Sequence, residues 1–116
     1  MENEKIYKKP NKKAIWAWKI VCKYKGRLLT NSIGGVWLRR CEWMNAYDCG
    51  KNSWMGDDEG SWIVFATKDG AQRYKVAGEQ EDEKVVKVKV KDIISEGIFF
   101  GEKSFTAMSI YFPCNT

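Results

Sequence analysis

The stretch from Gly60 to Tyr74 constrains the fold most, because it predicts a buried strand that runs directly into a short helix. Residues 61–66 form an apolar run, rich in β-branched and aromatic side chains, with the length of a strand. Thr67 stands where a helix N-cap belongs, and Asp69 falls in the first turn, where the helix dipole favours a negative charge. Gly78 is placed to end the helix. We therefore expect one well-marked helix beside a sheet.

Ala14–Tyr24 is the first strong strand prediction. Alternation places Trp16 and the other large apolar side chains on one face, and Lys19 on the opposite, polar face. The Lys-Gly pair at 25–26 predicts a turn. Arg27–Asn31 is then expected to return as the second strand of a hairpin.

Lys84–Asp92 is the cleanest amphipathic strand in the chain. Its valines at 86, 88 and 90 alternate with lysines, which predicts one buried face and one charged face. Two more strands are predicted at Ile93–Phe100 and Ser104–Phe112, with turn points at Gly97 and Gly101.

The segment between the first hairpin and the central strand is less regular. Val36–Trp43 alternates, but each face mixes apolar and charged side chains, which indicates an edge strand or a binding surface. Residues 44–60 predict a long loop, and loops of this length inside a domain are often functional.

These elements predict an α+β fold, with a mostly antiparallel twisted sheet or partial barrel of six or seven strands and one short helix. The 116 residues are enough for one domain, which we place at 14–116 after a flexible basic lead-in at 1–13. We find no secretory signal and no apolar run of membrane length, so we expect a cytoplasmic protein without membrane contact. In that setting the four cysteines are expected to be structural thiols.

The absence of histidine excludes more chemistry than any other feature. It removes Ser-His and Cys-His nucleophiles and every histidine-containing metal site. The Gly-Lys pair at 50–51 lacks the remaining residues of a phosphate loop, and the acidic run at 57–59 lacks the ligand spacing of a calcium loop. We therefore predict no enzymatic activity, no catalytic residue, no metal and no cofactor.

Charge and aromatic content point instead to binding. Residues 1–40 hold 11 Lys and Arg against two acidic residues, whereas residues 42–83 hold four against ten. Six tryptophans exceed what a small core can hide. The candidate residues for contact with a protein partner are Trp37, Arg39, Arg40, Trp43, Trp54 and Met55. Those for contact with phosphates or a nucleic acid are Lys12, Lys13, Lys87, Lys89 and Lys91, although edge protection or a wet strand face also explains the lysine row.

The chain resembles a group of small proteins carried by bacteriophages and mobile elements. The resemblance is carried by Trp18-Lys19-Ile20-Val21, Lys25-Gly26-Arg27-Leu28-Leu29, residues 62–67, Ala71, Tyr74 and the Val-Lys repeat. It implies a viral origin and a structural plan, but no shared activity. The strand–helix–strand order is also loosely similar to ADP-ribosyltransferase-like folds, in which Arg27 and Glu81 would take the dinucleotide-clamp and catalytic-acid positions; no serine motif stands between them.

Two function classes follow. The first is a non-catalytic binding protein of a phage or mobile element that inhibits a host defence factor by occupying an acidic or phosphate-bearing surface. The alternative is a nucleotide-binding or nucleic-acid-binding protein that uses basic strands and exposed tryptophans.

Overall fold

Ten strands and one helix make up the part of the chain that the computed structural model describes, which is residues 4–7, 13–30, 37–48, 53–54, 61–78, 83–99 and 101–116. The elements are β1 (Glu4–Tyr7), β2 (Ile15–Tyr24), β3 (Arg27–Thr30), β4 (Trp37–Leu38), β5 (Trp43–Asn45), β6 (Tyr47–Asp48), β7 (Ser53–Trp54), β8 (Trp62–Phe65), α1 (Lys68–Gly78), β9 (Glu83–Phe99) and β10 (Glu102–Tyr111).

The main sheet is antiparallel between all of its paired strands. Seven strands follow the order β1-β9-β10-β8-β2-β3-β4, β5 pairs with β10 beside that path, and β6 and β7 form a separate pair. The first half of β9 also pairs with β2, which curls the sheet. Because β1 and β4 remain as the two ends of the path, the sheet is not a true barrel. The prediction of a mostly antiparallel sheet with one helix is confirmed, and the dominant character is β.

The first hairpin forms where the sequence predicted it. Lys25 and Gly26 both have positive φ, 50° and 79°. A type I′ turn, whose twist matches that of the two strands, requires positive φ at both of its central residues. β2 and β3 pair from Tyr24 with Arg27 back to Val21 with Thr30.

β9 is one long strand where two were predicted, and the turn expected at Gly97 is wrong. Gly97 pairs with Ser104 inside the β9–β10 ladder, and the actual turn contains Gly101, with φ 82°. Asp92 has φ 56°, a conformation that Asp tolerates better than most residues. The β9–β10 register shifts between Thr106 and Ala107, close to this point. This irregularity lets β9 change partners along its length.

The predicted strand Val36–Trp43 is interrupted. Cys41 has φ 68°, which ends one extended segment and starts another, so that β4 and β5 are separate strands. The expectation of thiols is wrong for two of the four cysteines, because Cys41 forms a disulfide with Cys114. A pairing across 73 residues cannot be deduced from spacing, but β5 and β10 bring these two residues together. Cys22 is half-buried, and Cys49 lies outside the described residues.

The helix confirms its prediction closely. The Thr67 hydroxyl accepts a hydrogen bond from the Gly70 backbone N–H at 3.0 Å, as an N-cap does. Ala71 is fully buried and packs with Ile20 and Phe65 of the sheet. Arg73 donates two hydrogen bonds to Glu102, at 2.7 and 2.6 Å, which fasten the helix to the start of β10.

The polarity predicted for β2 is wrong at its first half. Lys19 is only 2% exposed and donates a hydrogen bond from Nζ to the Ile63 carbonyl at 2.9 Å, whereas Trp16 is 49% exposed. A lysine can occupy an interior face when its ammonium reaches a carbonyl across the sheet. The main core lies on the Lys19 side and includes Ala17 and Val88, both fully buried.

The basic lead-in contributes an edge strand, because Glu4–Tyr7 pair with residues 95–98 of β9. The rest of residues 1–12 lies outside the described residues, so flexibility there stays a prediction. Within the described chain, no helix is both long and apolar enough to cross a membrane.

Candidate functional site

A row of aromatic and basic side chains crosses the solvent side of four neighbouring strands. Trp16 on β2 stands opposite Lys89 on β9, Lys89 stands opposite Tyr111 on β10, and Tyr111 stands opposite Trp43 on β5. Directly opposed residues in antiparallel strands share a face, so all four side chains leave the sheet on one side. We call this surface the lysine–tryptophan face; its members are Trp16, Trp18, Trp43, Lys87, Lys89, Lys91 and Tyr111.

Strict alternation along β2 and β9 produces this face. Ala17 and Val88 are paired and fully buried, so their neighbours in the strand must point away from the core. Lys87 is exposed and Lys89 is half-buried, as predicted for the charged face of the Val-Lys repeat.

A hydrogen bond from a buried tryptophan fixes the position of β5, which carries Trp43 at one end of the row. Trp62 is fully buried and donates its indole N–H to the Met44 carbonyl at 3.2 Å. Met44 is 1% exposed, so it points into the core and directs its neighbour Trp43 to solvent. Backbone hydrogen bonds from Cys41 to Phe112 and from Ala46 to Met108, both 2.8 Å, hold the two ends of this segment to β10.

Two lysines lie close to the Trp16 ring. The Nζ atoms of Lys87 and Lys89 are each 4.8 Å from the centre of its ring, within cation–π range. The indole is 49% exposed, which is high for the largest apolar side chain.

Trp43 has the same environment at the other end of the row. Lys91 Nζ is 4.4 Å from its ring centre, and the Tyr111 ring lies 5.6 Å away at a tilt of 46°. Trp43 is 37% exposed. Both ends of the row therefore combine an accessible indole with a neighbouring ammonium group.

Trp18 forms the border with the helix. Lys68, in the first turn of α1, places its Nζ 5.7 Å from the Trp18 ring, and Lys87 Nζ is 5.9 Å from the same ring. Trp18 is also partly buried against the apolar cluster beneath α1. The helix thus closes one end of the face and adds a fourth lysine to it.

The face gathers three lysines on one surface. In the part of the chain that the structure describes, neither the Arg39–Glu42 nor the Arg73–Glu102 ion pair involves a lysine of the face. An exposed cation–π contact contributes about 0.5–1 kcal/mol, whereas burying a large apolar side chain contributes about 1.5–3 kcal/mol. Folding alone therefore gives little reason to leave these rings at the surface among lysines.

Of the residues predicted to contact a protein partner, Trp43 lies on the face and three others lie near the β3–β4 edge. Trp37 is 43% exposed, and the guanidinium carbon of Arg27 lies 3.8 Å from its ring centre. Arg39 pairs with Glu42. Arg40 donates hydrogen bonds to the carbonyls of Thr116 at 2.8 Å and Gly26 at 3.0 Å, which gives its side chain a structural task.

The remaining predicted residues are placed only in part. Met55 and Lys12 lie outside the described residues, as does the Trp54 side chain, although the Trp54 backbone pairs with Tyr47. Lys13 is exposed and precedes β2. The lysines that the structure brings together with an aromatic platform are Lys87, Lys89 and Lys91.

Sequence reasoning missed Trp16, Trp18, Tyr111 and Lys68 as site residues. Alternation groups Trp16 and Trp18 on an apolar face, and the structure covers only part of that face. The available signal was the number of tryptophans, which required some of them to be exposed but did not identify which.

The described residues hold no cluster of three or more Cys, Asp or Glu side chains with the geometry of a metal site. Arg27 stacks on Trp37, and Glu81 lies outside the described residues, so the ADP-ribosyltransferase-like arrangement stays a prediction.

Comparison with known proteins gives no match among family models, curated proteins or solved structures. The resemblance to proteins of phages and mobile elements therefore stays a prediction.

Proposed function

We propose that this chain is a non-catalytic binding protein, and that its ligand is a nucleic acid held on the lysine–tryptophan face. The single observation that carries the proposal is the cross-strand row Trp16, Lys89, Tyr111 and Trp43, which has an exposed indole and a neighbouring lysine at each end. Lysine ammonium groups attract phosphates, and exposed rings offer apolar contact beside them.

Charge supports a polyanion as the ligand class. Lys87, Lys89 and Lys91 occupy alternate positions on one strand, so their Cα atoms are about 6.6 Å apart at the usual strand rise. The protein carries a net charge of +5, which adds long-range attraction for anions. A nucleic acid presents several phosphates at comparable intervals and can contact the lysines together.

The test is the affinity for a fluorescein-labelled oligonucleotide as a function of salt, measured by fluorescence anisotropy. The logarithm of the affinity should fall linearly with the logarithm of salt concentration, because bound phosphates release counterions. Lys89→Gln should weaken binding several-fold at low salt and reduce the slope by about 0.7 to 1.

Lys84→Gln is the matched control. It makes the same charge change on the same strand, but Lys84 is paired with Val21 and therefore belongs to the opposite face of the ladder. Its effect should be clearly smaller than that of Lys89→Gln. Equal effects from both substitutions, or affinity that ignores salt, would contradict the assignment of this face.

A stoichiometric inhibitor of a host defence factor is the second candidate function, and one observation favours it. Trp37 and Arg27 form an exposed stacked pair at the β3–β4 edge, and Trp and Arg are the residue types enriched at interface hot spots. In this case Trp37→Ala should abolish retention of one host protein at a one-to-one ratio, and Trp16→Ala should leave it unchanged. The opposite dependence would remove the candidate.

The proposed location is the cytoplasm, that of the host cell if a phage encodes the chain. The Cys41–Cys114 disulfide bears on this proposal, because a reducing cytosol would keep the pair as thiols. Thiol trapping of the protein in its native cells would test it: a reduced pair supports a cytosolic location, and an oxidised pair argues for an oxidising compartment.

A further inference from the structure

We infer that the lysine–tryptophan face takes single-stranded rather than duplex nucleic acid, with bases stacked on Trp16 and Trp43 and the backbone crossing the strands between them. This inference rests on the proposed function and specifies its ligand. It depends on the exposure of the rings, whereas the salt dependence that tests the proposed function depends on the lysines.

The exposed tryptophan rings would make no stacking contacts with the bases of a duplex. In a duplex the faces of the bases are covered by their neighbours, and lysines alone suffice for the outward phosphates. Trp16 and Trp43 are 49% and 37% exposed, so each offers ring surface on which an unpaired base can stack. Every base has such a surface, so we expect little sequence preference.

The lysines are placed to contact the phosphates of nucleotides whose bases stack on the tryptophans. The Nζ atoms of Lys87 and Lys89 are each 4.8 Å from the centre of the Trp16 ring, and that of Lys91 is 4.4 Å from the centre of the Trp43 ring. Each platform therefore has an ammonium group within a few ångströms of the place where the phosphate of a stacked nucleotide would lie. Lys89 stands in the row between Trp16 and Tyr111 and would meet the phosphate that links the two halves of the site.

The length of the row sets the size of the ligand. Three strand spacings separate β2 from β5, and at about 4.8 Å each they give about 14 Å between the two platforms. At a rise of about 3.4 Å per stacked nucleotide, this distance spans about four nucleotides. The charged and aromatic surface thus fits a short segment of a longer strand.

An abasic strand separates stacking from charge. The probe is a fluorescein-labelled eight-nucleotide DNA strand, and its binding is competed by three ligands: the same strand unlabelled, its duplex, and an eight-unit abasic strand with the same phosphates. The intact single strand should compete at least about tenfold better than the abasic strand or the duplex. Trp16→Ala and Trp43→Ala should each remove most of that advantage, whereas Trp37→Ala should retain it.

Two further variants keep the outcome interpretable. Trp16→Phe retains a ring, so it should recover part of the advantage that Trp16→Ala loses and should exclude misfolding as the cause. Lys89→Gln should weaken the intact and the abasic strand by similar factors. Equal competition by intact and abasic strands would overturn the single-strand inference and leave the proposed nucleic-acid function standing. No binding of any of the three ligands would overturn both.

Discussion

One face of the sheet is divided into two halves that share strands but not chemistry. Three successive cross-strand pairs of β2 and β9 are Trp16 with Lys89, Trp18 with Lys87, and Ile20 with Val85. The third pair lies beneath α1, where Ile20 is 3% exposed. The first pair has no helix over it, and Trp16 is 49% exposed. The same β-ladder thus changes from an apolar contact for a helix to a lysine–tryptophan surface within four residues.

The difference shows which residues the fold needs and which it does not. In the covered half, Phe65 is 3% exposed and meets the rings of Tyr74 and Phe99 at 5.4 and 6.3 Å. In the open half, aromatic rings of similar size contact lysines and solvent. A ring whose removal leaves the core unchanged requires another explanation, and contact with a ligand provides one.

The largest expected effect is on stability in the covered half. Phe65→Ala should lower the free energy of unfolding by about 3–5 kcal/mol, because it leaves a cavity beneath the helix. Trp16→Ala removes a larger side chain but should lower it by less than about 1 kcal/mol, since the ring is half in solvent. Urea denaturation followed by far-ultraviolet circular dichroism measures both, and similar losses would erase the distinction between the halves.

The disulfide beside the open half should have the next largest effect. Replacing both Cys41 and Cys114 by Ser should lower the free energy of unfolding by about 2–4 kcal/mol, because a constraint on the unfolded chain across 73 residues is lost. Cys22→Ser, at a half-buried position outside this bridge, is the control and should change it by less than about 1 kcal/mol. Denaturation of the oxidised protein with and without reductant gives the same comparison.

Trp18 lies on the border and should be intermediate. Trp18→Ala should lower the free energy of unfolding by about 1–3 kcal/mol, because its side chain is only partly buried against the apolar cluster beneath α1. It should weaken oligonucleotide binding less than Trp16→Ala does. A binding loss larger than that of Trp16→Ala would move the centre of the site towards the helix.

The smallest effect concerns the ion pair that fastens the helix over the covered half. The hydrogen bonds from Arg73 lower the pKa of Glu102 from its ordinary value of 4.5, and the contribution of its own desolvation opposes this shift. Because the folded pKa is the lower one, the stabilisation is present above about pH 4.5 and is lost as the pH falls through the folded pKa.

Glu102→Gln should therefore be less stable than the wild type at pH 7 by a small amount, and the difference should narrow as the pH falls below about 4.5. Urea midpoints measured at pH 7 and over a series of lower pH values follow the change. A gap that is unchanged or wider at low pH would contradict the assignment of the pair.

Local patterns predicted much of the fold. The N-cap at Thr67, the turn at Lys25 and Gly26, and the alternation of valine with lysine in β9 depend on neighbours in sequence, and all three were confirmed. The disulfide and the partner exchange of β9 depend on residues distant in sequence, which no local pattern encodes.

Only part of the candidate site, chiefly its lysines, could be predicted from the sequence, because the exposure of the tryptophans depends on contacts between residues that are distant in sequence. The lysine row follows from alternation, but the choice of which face of β2 the helix covers is a tertiary matter. Alternation correctly grouped Trp16 with Ile20. It could not show that α1 would cover Ile20 and stop at Trp18.

The most direct test of the central claim follows the tryptophan side chains individually. The six indole N–H groups give separate signals in a nitrogen–proton correlation spectrum, and single substitutions assign them. On titration with an eight-nucleotide single strand, the signals of Trp16 and Trp43 should shift most, while that of buried Trp62 and that of Trp37 at the β3–β4 edge should stay in place. A dominant shift at Trp37, or binding that leaves Trp16 and Trp43 unmoved, would contradict the account.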